Sequence, residues 1–362
     1  MTRDVQLKQF ELPDQDALLS FLRVAYAVEP RKADPAFWRW QYLENPYTSL
    51  DDLPLWIAKD GERVVGQAAA IPVEIKVGEE KRPASWILDF ILSAEYRGLG
   101  LGKKLLRAAA ESCPTLLALG LNDASINTAA RVGWKRMENI HRYHRMLFPG
   151  GALKETAGLG PIRELLNLCY APFRPRLSGS AAADGIALRQ ITSFDAAFDD
   201  LWQRASKQWP CAVRRKASYL EWQFMRQPGK LYDALGLYDQ DQLLGYVVLY
   251  FRKPERGGAP LKAAISDICY DAGSFPEIVD ELLKAALRLA LERRAGSLVT
   301  DVLDSRVEER LGHFGFRRIR RSPPFMVHSP DRQELLYETA NWFLTRADSD
   351  VSIFEEPNKE QG

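Results

Sequence analysis

The chain repeats itself, and no other feature constrains its fold as strongly. Ile186-Ala187-Leu188-Arg189-Gln190-Ile191 echoes Val5 to Phe10 at an offset of 181 positions. Tyr219-Leu220-Glu221-Trp222-Gln223-Phe224, closed by Pro228, echoes Phe37 to Tyr42 and Pro46 at an offset of 182. Leu243-Leu244-Gly245 matches Val64-Val65-Gly66, and Ile265-Ser266-Asp267-Ile268 matches Ile87-Leu88-Asp89-Phe90. Asp304 stands for Asn122, and Gly315-Phe316-Arg317-Arg318 for Gly133-Trp134-Lys135-Arg136. In the first copy a half-exposed strand, an amphipathic helix, an aromatic-rich element, a hairpin around Asp60-Gly61, and further strands and helices follow one another, and the matching segments of the second copy keep that order. Such a chain is expected to build two copies of one α/β unit.

Between the copies, residues 150–185 combine Gly150-Gly151, a short helical pattern from Ile162 to Cys169, two prolines and the stretch SGSAAADG, which reads as a flexible linker. The expected division is therefore 1–149, a linker at 150–185, a second unit at 186–346, and a frayed acidic tail at 347–362. Within the second unit's last part, Trp342 to Thr345 is expected to add a strand.

Composition narrows the function. Lys plus Arg total 49 against 48 acids, so no global field draws the chain to nucleic acid or to an anionic membrane. No apolar run approaches membrane-spanning length and the N-terminus has no hydrophobic signal region, so a cytoplasmic protein without membrane insertion is expected. Cys113, Cys169, Cys211 and Cys269 show neither metal-type spacing nor a disulfide-dense pattern, which suits a reducing compartment and no metal.

The chemistry concentrates in Trp86 to Glu111. A buried strand ends, Arg97-Gly98-Leu99-Gly100-Leu101-Gly102 follows, and an alanine-rich helix begins at Lys103-Lys104. Glycines let backbone N–H groups approach a ligand, and a helix N-terminus offers unpaired donors with partial positive charge, so the junction suits a phosphate or pyrophosphate. The dinucleotide fingerprint fails in both registers, because Lys103 or Leu105 stands where its third glycine belongs. The Walker pattern fails because Lys104 follows Gly102-Lys103 in place of Ser or Thr.

The pattern that does fit is R-x-x-G-x-G, filled by Arg97, Gly100 and Gly102 after an apolar strand. It resembles the acyl-CoA-binding motif of the GNAT N-acetyltransferases. The resemblance covers element order in both copies and is sharp from Asp89 to Trp134. It implies an α/β (α+β layered) fold of two tandem GNAT-like domains, each a mixed, mostly antiparallel central sheet flanked by helices and splayed beside the loop. It also implies an acyl-CoA, expected to be acetyl-CoA, as co-substrate and a small-molecule or peptide amine as acceptor. Backbone groups at Leu92 would hold the pantetheine arm, those of Gly98, Leu99, Gly100, Leu101, Gly102 and Lys103 the pyrophosphate, and Asn122 would reach the pantetheine.

The second copy reads ICYDAGSFPEIVDELLKAALRLA after Asp267, with no glycine triplet and with Glu277 nearby, so it is expected to bind no CoA. Amine acylation needs a base and, for the leaving thiolate, an acid. Asp89, an acid in an apolar strand, is the base candidate, its pKa expected to rise on burial. Asp267 keeps the same place in the copy without the loop, which equally fits a structural role. Where the family often places a tyrosine acid this chain has Ala129, so His141 and Tyr143, which share one strand face, are the substitutes, with His144 opposite.

Trp38, Trp40 and Trp222 are expected to pack in the core. The run Arg317-Arg318-Ile319-Arg320-Arg321 is expected to form a solvated strand edge or to hold an anionic acceptor. Two further classes remain open: a non-catalytic acyl-CoA sensor, and an aminoacyl transferase acting on cell-wall precursors.

Overall fold

The computed structural model describes residues 5–27, 29–152, 160–173, 185–229, 232–252, 261–320, 322–331 and 333–349. Its first run of elements is β1 (Val5–Gln9), α1 (Gln15–Ala25), α2 (Pro35–Tyr42), β2 (Leu55–Asp60), β3 (Arg63–Val77), β4 (Glu80–Leu92), α3 (Leu101–Ser112), β5 (Leu116–Leu119), α4 (Asp123–Ala130), β6 (Lys135–Arg136) and β7 (His141–Met146). After α5 (Gly160–Tyr170) come β8 (Ile186–Ile191), α6 (Ala196–Ala205), β9 (Cys211–Val213), α7 (Ala217–Leu220), β10 (Tyr232–Asp239), β11 (Gln242–Arg252) and β12 (Lys262–Tyr270). The chain continues through α8 (Glu277–Glu292), β13 (Ser297–Leu303), α9 (Ser305–His313), β14 (Arg317–Ile319), β15 (Phe325–His328) and β16 (Trp342–Thr345). Apart from β9 and β16, the second run repeats the first element for element.

Most strands pair antiparallel, with helices on both faces, which is the mixed α/β architecture expected from the sequence. β3 runs unbroken from Arg63 to Val77, accommodated by a bulge in β4 opposite Ala69 and Ala70. The linker stretch SGSAAADG lies outside the described residues except for Gly185.

The two halves exchange strands. β7, from the first half, runs antiparallel between β13 and β14 of the second, with Thr300 opposite Tyr143 and Arg318 opposite Tyr143 on the other edge. β15, from the second half, lies antiparallel to β5 and β6 of the first, with Met326 opposite Ala118 and Arg136. Phe325, Met326 and Val327 are fully buried in the first half's core. Neither 1–149 nor 186–346 therefore closes its own sheet. Those sequence boundaries mark where the repeat restarts, whereas packing crosses them reciprocally.

β16 and β9 join the sheets: β16 pairs parallel with β9, β9 pairs with Ile75–Val77 of β3, and β16 reaches β13 at Val302 and Leu303. The expected frayed tail accordingly starts too early at 347. Ala347, Asp348 and Ser349 are buried, and Asp348 accepts from Arg215 Nη2 at 2.6 Å. An acidic composition suggested a solvated tail; a buried arginine overrides it. Residues 350–362 lie outside the described ones.

Candidate acyl-CoA site

β4 and β5 lie parallel and pair only at Ser85 with Leu116 and Trp86 with Leu117. Beyond that point β4 continues to Leu92 in register with β3, and β5 is held on its other edge by β15. A gap therefore opens between two adjacent parallel strands. A bulge at Leu88, the extra residue between the Ala70–Ile87 and Ala69–Asp89 pairs, turns β4 at that gap.

The glycine loop sits at the mouth of the gap, between Ala94–Tyr96 and α3. Gly98 and Gly100 have φ of 80° and 78°, in the left-handed region, and an added Cβ on either would meet nothing within 4 Å. Their role is thus conformational, and they face open space. Gly102 does a different job. A Cβ there would come within 3.1 Å of Phe90, so this glycine lets α3 press onto β4. The first bond of the helix runs from Lys104 N to Gly100 O at 3.2 Å. The N–H groups of Leu101, Gly102 and Lys103 thereby lack intrahelical acceptors, as the start of any helix does, and here they follow the exposed loop of Arg97 to Gly100.

Three contacts fix the loop. Tyr96 Oη donates to Asp60 at 2.5 Å, Arg63 pairs with Glu95 at 3.0 Å, and Arg97 Nε donates to Leu92 O at 3.3 Å. Arg97 and Leu99 remain exposed. Leu92 fills the space over Gly66, where a Cβ would fall 2.2 Å from its side chain. Asn122 caps α4, its Oδ1 accepting from Ser125 N at 2.9 Å, so that oxygen serves the helix. No group of three or more His, Cys, Asp or Glu among the described residues could hold a metal ion.

Asp89 was expected to have a raised pKa. Burial does oppose its charged form, but the charge and hydrogen bond of Lys32, with hydrogen bonds from Tyr42 and Tyr26, outweigh it, and the carboxyl is held below its ordinary value. Tyr42 Oη donates at 2.5 Å, Tyr26 Oη at 2.9 Å and Gln41 Nε2 at 3.4 Å. A carboxylate with four donors is a tie between β4 and the α1–α2 region rather than a free base. In the second half, Arg215 and Asp267 form the corresponding pair at 3.2 Å, just after a matching bulge at Ser266.

The structure does not bring His141 and Tyr143 to the loop. The strand exchange carries both into the second half's sheet, where His141 Nδ1 and Tyr143 Oη each lie 2.7–2.8 Å from Glu308 of α9. His144 faces the other way and burial lowers its pKa. Ala129, in the place of the missing tyrosine, is wholly buried in the core between α3, α4 and the sheet. Nothing in the local sequence announces the exchange, because β7 follows β6 as it would in an unexchanged fold.

Sequence reasoning missed Lys32, Tyr26, Gln41 and Tyr42, which are distant in the chain and ordinary in type. It also missed Gln67. This residue is fully buried with neither carboxamide atom paired, and it lies in register between Ile57 and Ile91. A lone glutamine inside VVGQAAAI was the available signal.

Residues 16–134 match the Acetyltransferase (GNAT) family. That segment, less than half of the chain, is similar to the GNAT acetyltransferases. The matched segment contains the gap, the loop and the Asp89 tie. Comparison with curated protein sequences gives no match.

Solved structures share the fold at low identity. A GCN5-related N-acetyltransferase from Anabaena variabilis superposes with a TM-score of 0.61 at 14% identity, covering 89% of this chain and 72% of that one. A probable N-acyltransferase from Enterococcus faecalis gives 0.62 at 12%, covering 92% and 74%. N-myristoyltransferase from Saccharomyces cerevisiae, solved with myristoyl-CoA, gives 0.61 at 14%, covering 91% and 85%. The likeness spans both halves of the chain, well beyond the GNAT segment itself.

Proposed function

We propose that the chain transfers an acyl group from acetyl-CoA to a primary amine by direct attack, using the gap beside β4 in its first half. The observation that carries this reading is the coincidence of a parallel-strand gap with a left-handed glycine loop at a helix N-terminus. The N–H groups from Gly98 to Lys103 would hold the pyrophosphate, with Arg97 adding positive charge. Backbone groups around Leu92 would orient the thioester. Attack by the neutral amine forms the C–N bond and releases the CoA thiolate, while the amine proton passes to solvent or a base. Positioning and carbonyl polarisation would supply most of the rate.

The loop opens on the face covered by α3, so the acceptor would enter from the face carrying α1 and α2. Gln67 belongs to the strand beneath that face, and its unpaired carboxamide is suited to an amine or its neighbouring polar group. Asp89 acts here as a positioning residue, holding the α1–α2 region through Lys32.

The second half is a degenerate copy that binds no CoA. Its own gap opens after Ile265 and Thr300, and β16 occupies it, pairing with β13 at Val302 and Leu303 while Thr345 Oγ1 donates to Asp267 at 2.7 Å. A cytoplasmic setting agrees with the finding that no helix among the described residues is long and apolar enough to cross a membrane.

The buried Ala129 favours one alternative, a sensor that binds acyl-CoA without turnover. Titration calorimetry with acetyl-CoA on the wild type, Arg97→Glu and Gly100→Glu tests the site; absence of binding by the wild type would sink both readings. Thiol release with a panel of amino sugars, polyamines and peptide N-termini then separates enzyme from sensor.

A further inference from the structure

The basic run at β14 and the helix between the halves play no part in the chemistry above, yet they adjoin. α5 carries its apolar side chains outward: Leu165 is 59% and Leu168 71% exposed, with Ile162 and Leu166 also exposed. Its one buried residue is polar. Asn167 Oδ1 accepts from Gly150 N at 2.8 Å, and Glu164 pairs with Arg294 at 3.1 Å. An ordinary surface helix has the opposite arrangement.

Just beyond the helix, Phe173 is 67% exposed. Arg145 ties it to the basic strand, donating from Nη2 to Phe173 O at 2.6 Å and from Nη1 to Gly315 O at 3.1 Å. From Gly315 the chain enters β14, an edge strand paired among the described residues only with β7, whose Arg317, Arg318 and Ile319 are all exposed, as is Arg320. An outward apolar helix and a basic edge are therefore joined through Arg145, and clustered exposed apolar side chains of this kind mark an interaction surface.

We propose that this surface docks peripherally on an anionic lipid membrane. Charge selects the occupant. A second copy placed edge to edge would set arginines against arginines, which strand pairing disfavours. Anionic headgroups complement Arg317, Arg318 and Arg320, while the side chains of α5 and Phe173 enter the boundary between headgroups and acyl chains. With a net charge near +1, the attraction is local to this patch and is not a global field.

The test is flotation of the full chain with vesicles of phosphatidylcholine alone or with added phosphatidylserine. Binding should require phosphatidylserine and weaken as salt rises. Replacing both arginines in Arg317→Ala/Arg318→Ala should weaken it about twenty- to thirty-fold. Leu165→Ser/Leu168→Ser should weaken it about tenfold or more. Both double variants alter exposed side chains, and an unchanged melting curve verifies that each is folded. The proposal is overturned if the wild type ignores phosphatidylserine vesicles, or if neither double variant changes binding. It also fails if sedimentation shows a dimer that the leucine variant dissolves, which would make a second copy the occupant.

Discussion

Trp40 and Trp222, related by the repeat, stack on each other at 4.9 Å with 16° between their planes, and each indole N–H donates to the other's backbone carbonyl at 2.9 Å. The repeat in the sequence is thus a local twofold relationship in space, with equivalent residues meeting at its centre. The same relationship carries β7 into one sheet and β15 into the other. The halves are welded at the stack and interlocked at the strands.

Removing either indole should be costly and coupled. Trp222→Ala is expected to lose about 3–5 kcal/mol of stability. A cycle of Trp40→Phe, Trp222→Phe and the double variant, followed by chemical denaturation, should show a coupling of about 0.5–3 kcal/mol, since each substitution removes one of two reciprocal bonds. Additive losses would mean that the stack is merely two independent core residues.

Asp89 and Lys32 form a second, less symmetric tie. Asp89→Asn should cost about 3–5 kcal/mol, because a buried ammonium is left without its counter-charge. Lys32→Met combined with Asp89→Asn should recover part of that loss, although the tyrosine donors remain. The sign of the pH dependence follows from the lowered carboxyl. Its stabilisation is full above the ordinary aspartate value and is lost as pH falls below it towards the folded-state pKa. Urea denaturation of the wild type and double variant across acidic pH measures that difference; parallel curves would refute the tie.

The glycines of the loop should separate by role. Gly98→Ala and Gly100→Ala force a side chain into the left-handed region, at about 1–2 kcal/mol each, with no clash. Acetyl-CoA affinity should fall with them, since the N–H groups lose their aim. Gly102→Ala should instead disturb packing against Phe90 while keeping a helical backbone. Calorimetry beside thermal melts reads the two effects; equal loss of affinity in all three variants would argue that the loop acts only through folding.

These residues also show how far the sequence could be read. Period and punctuation located α1, α2, the hairpin, β4 and the loop, because local hydrophobic spacing and glycine chemistry set them. The repeat identified Asp89 and Asp267 as equivalent, which the structure explains by matching bulges and matching basic partners. What local pattern cannot carry is which strand pairs with which. β7 and β15 have the same composition whether they return to their own half or cross over, so His141 and Tyr143 read as candidates beside the loop and lie elsewhere. Partners brought in from a distance, such as Lys32 for Asp89 or Arg215 for Asp348, likewise leave no trace in nearby sequence.

Asp348 gives the last prediction, on the segment that fills the second gap. It is buried against Arg215 and shares that guanidinium with Asp267 at 3.2 Å. Burial and the neighbouring carboxylate raise its pKa to about 6 despite Arg215. A folded-state pKa above the ordinary 3.8 means that the folded chain binds the extra proton between about pH 4 and 6. Stability should therefore fall as pH rises through that window, by an amount of order 1–3 kcal/mol if this group acts alone. The first segment to loosen should be β16, whose Thr345 N donates to the same carboxyl at 2.7 Å. Asp348→Asn mimics the protonated form and should flatten the dependence between pH 4 and 6 while leaving acetyl-CoA binding in the first half intact. Amide exchange at residues 342–349, compared at pH 5 and pH 7 in both proteins after correction for intrinsic rates, makes the measurement. Protection that is unchanged with pH in the wild type would remove Asp348 as the titrating group.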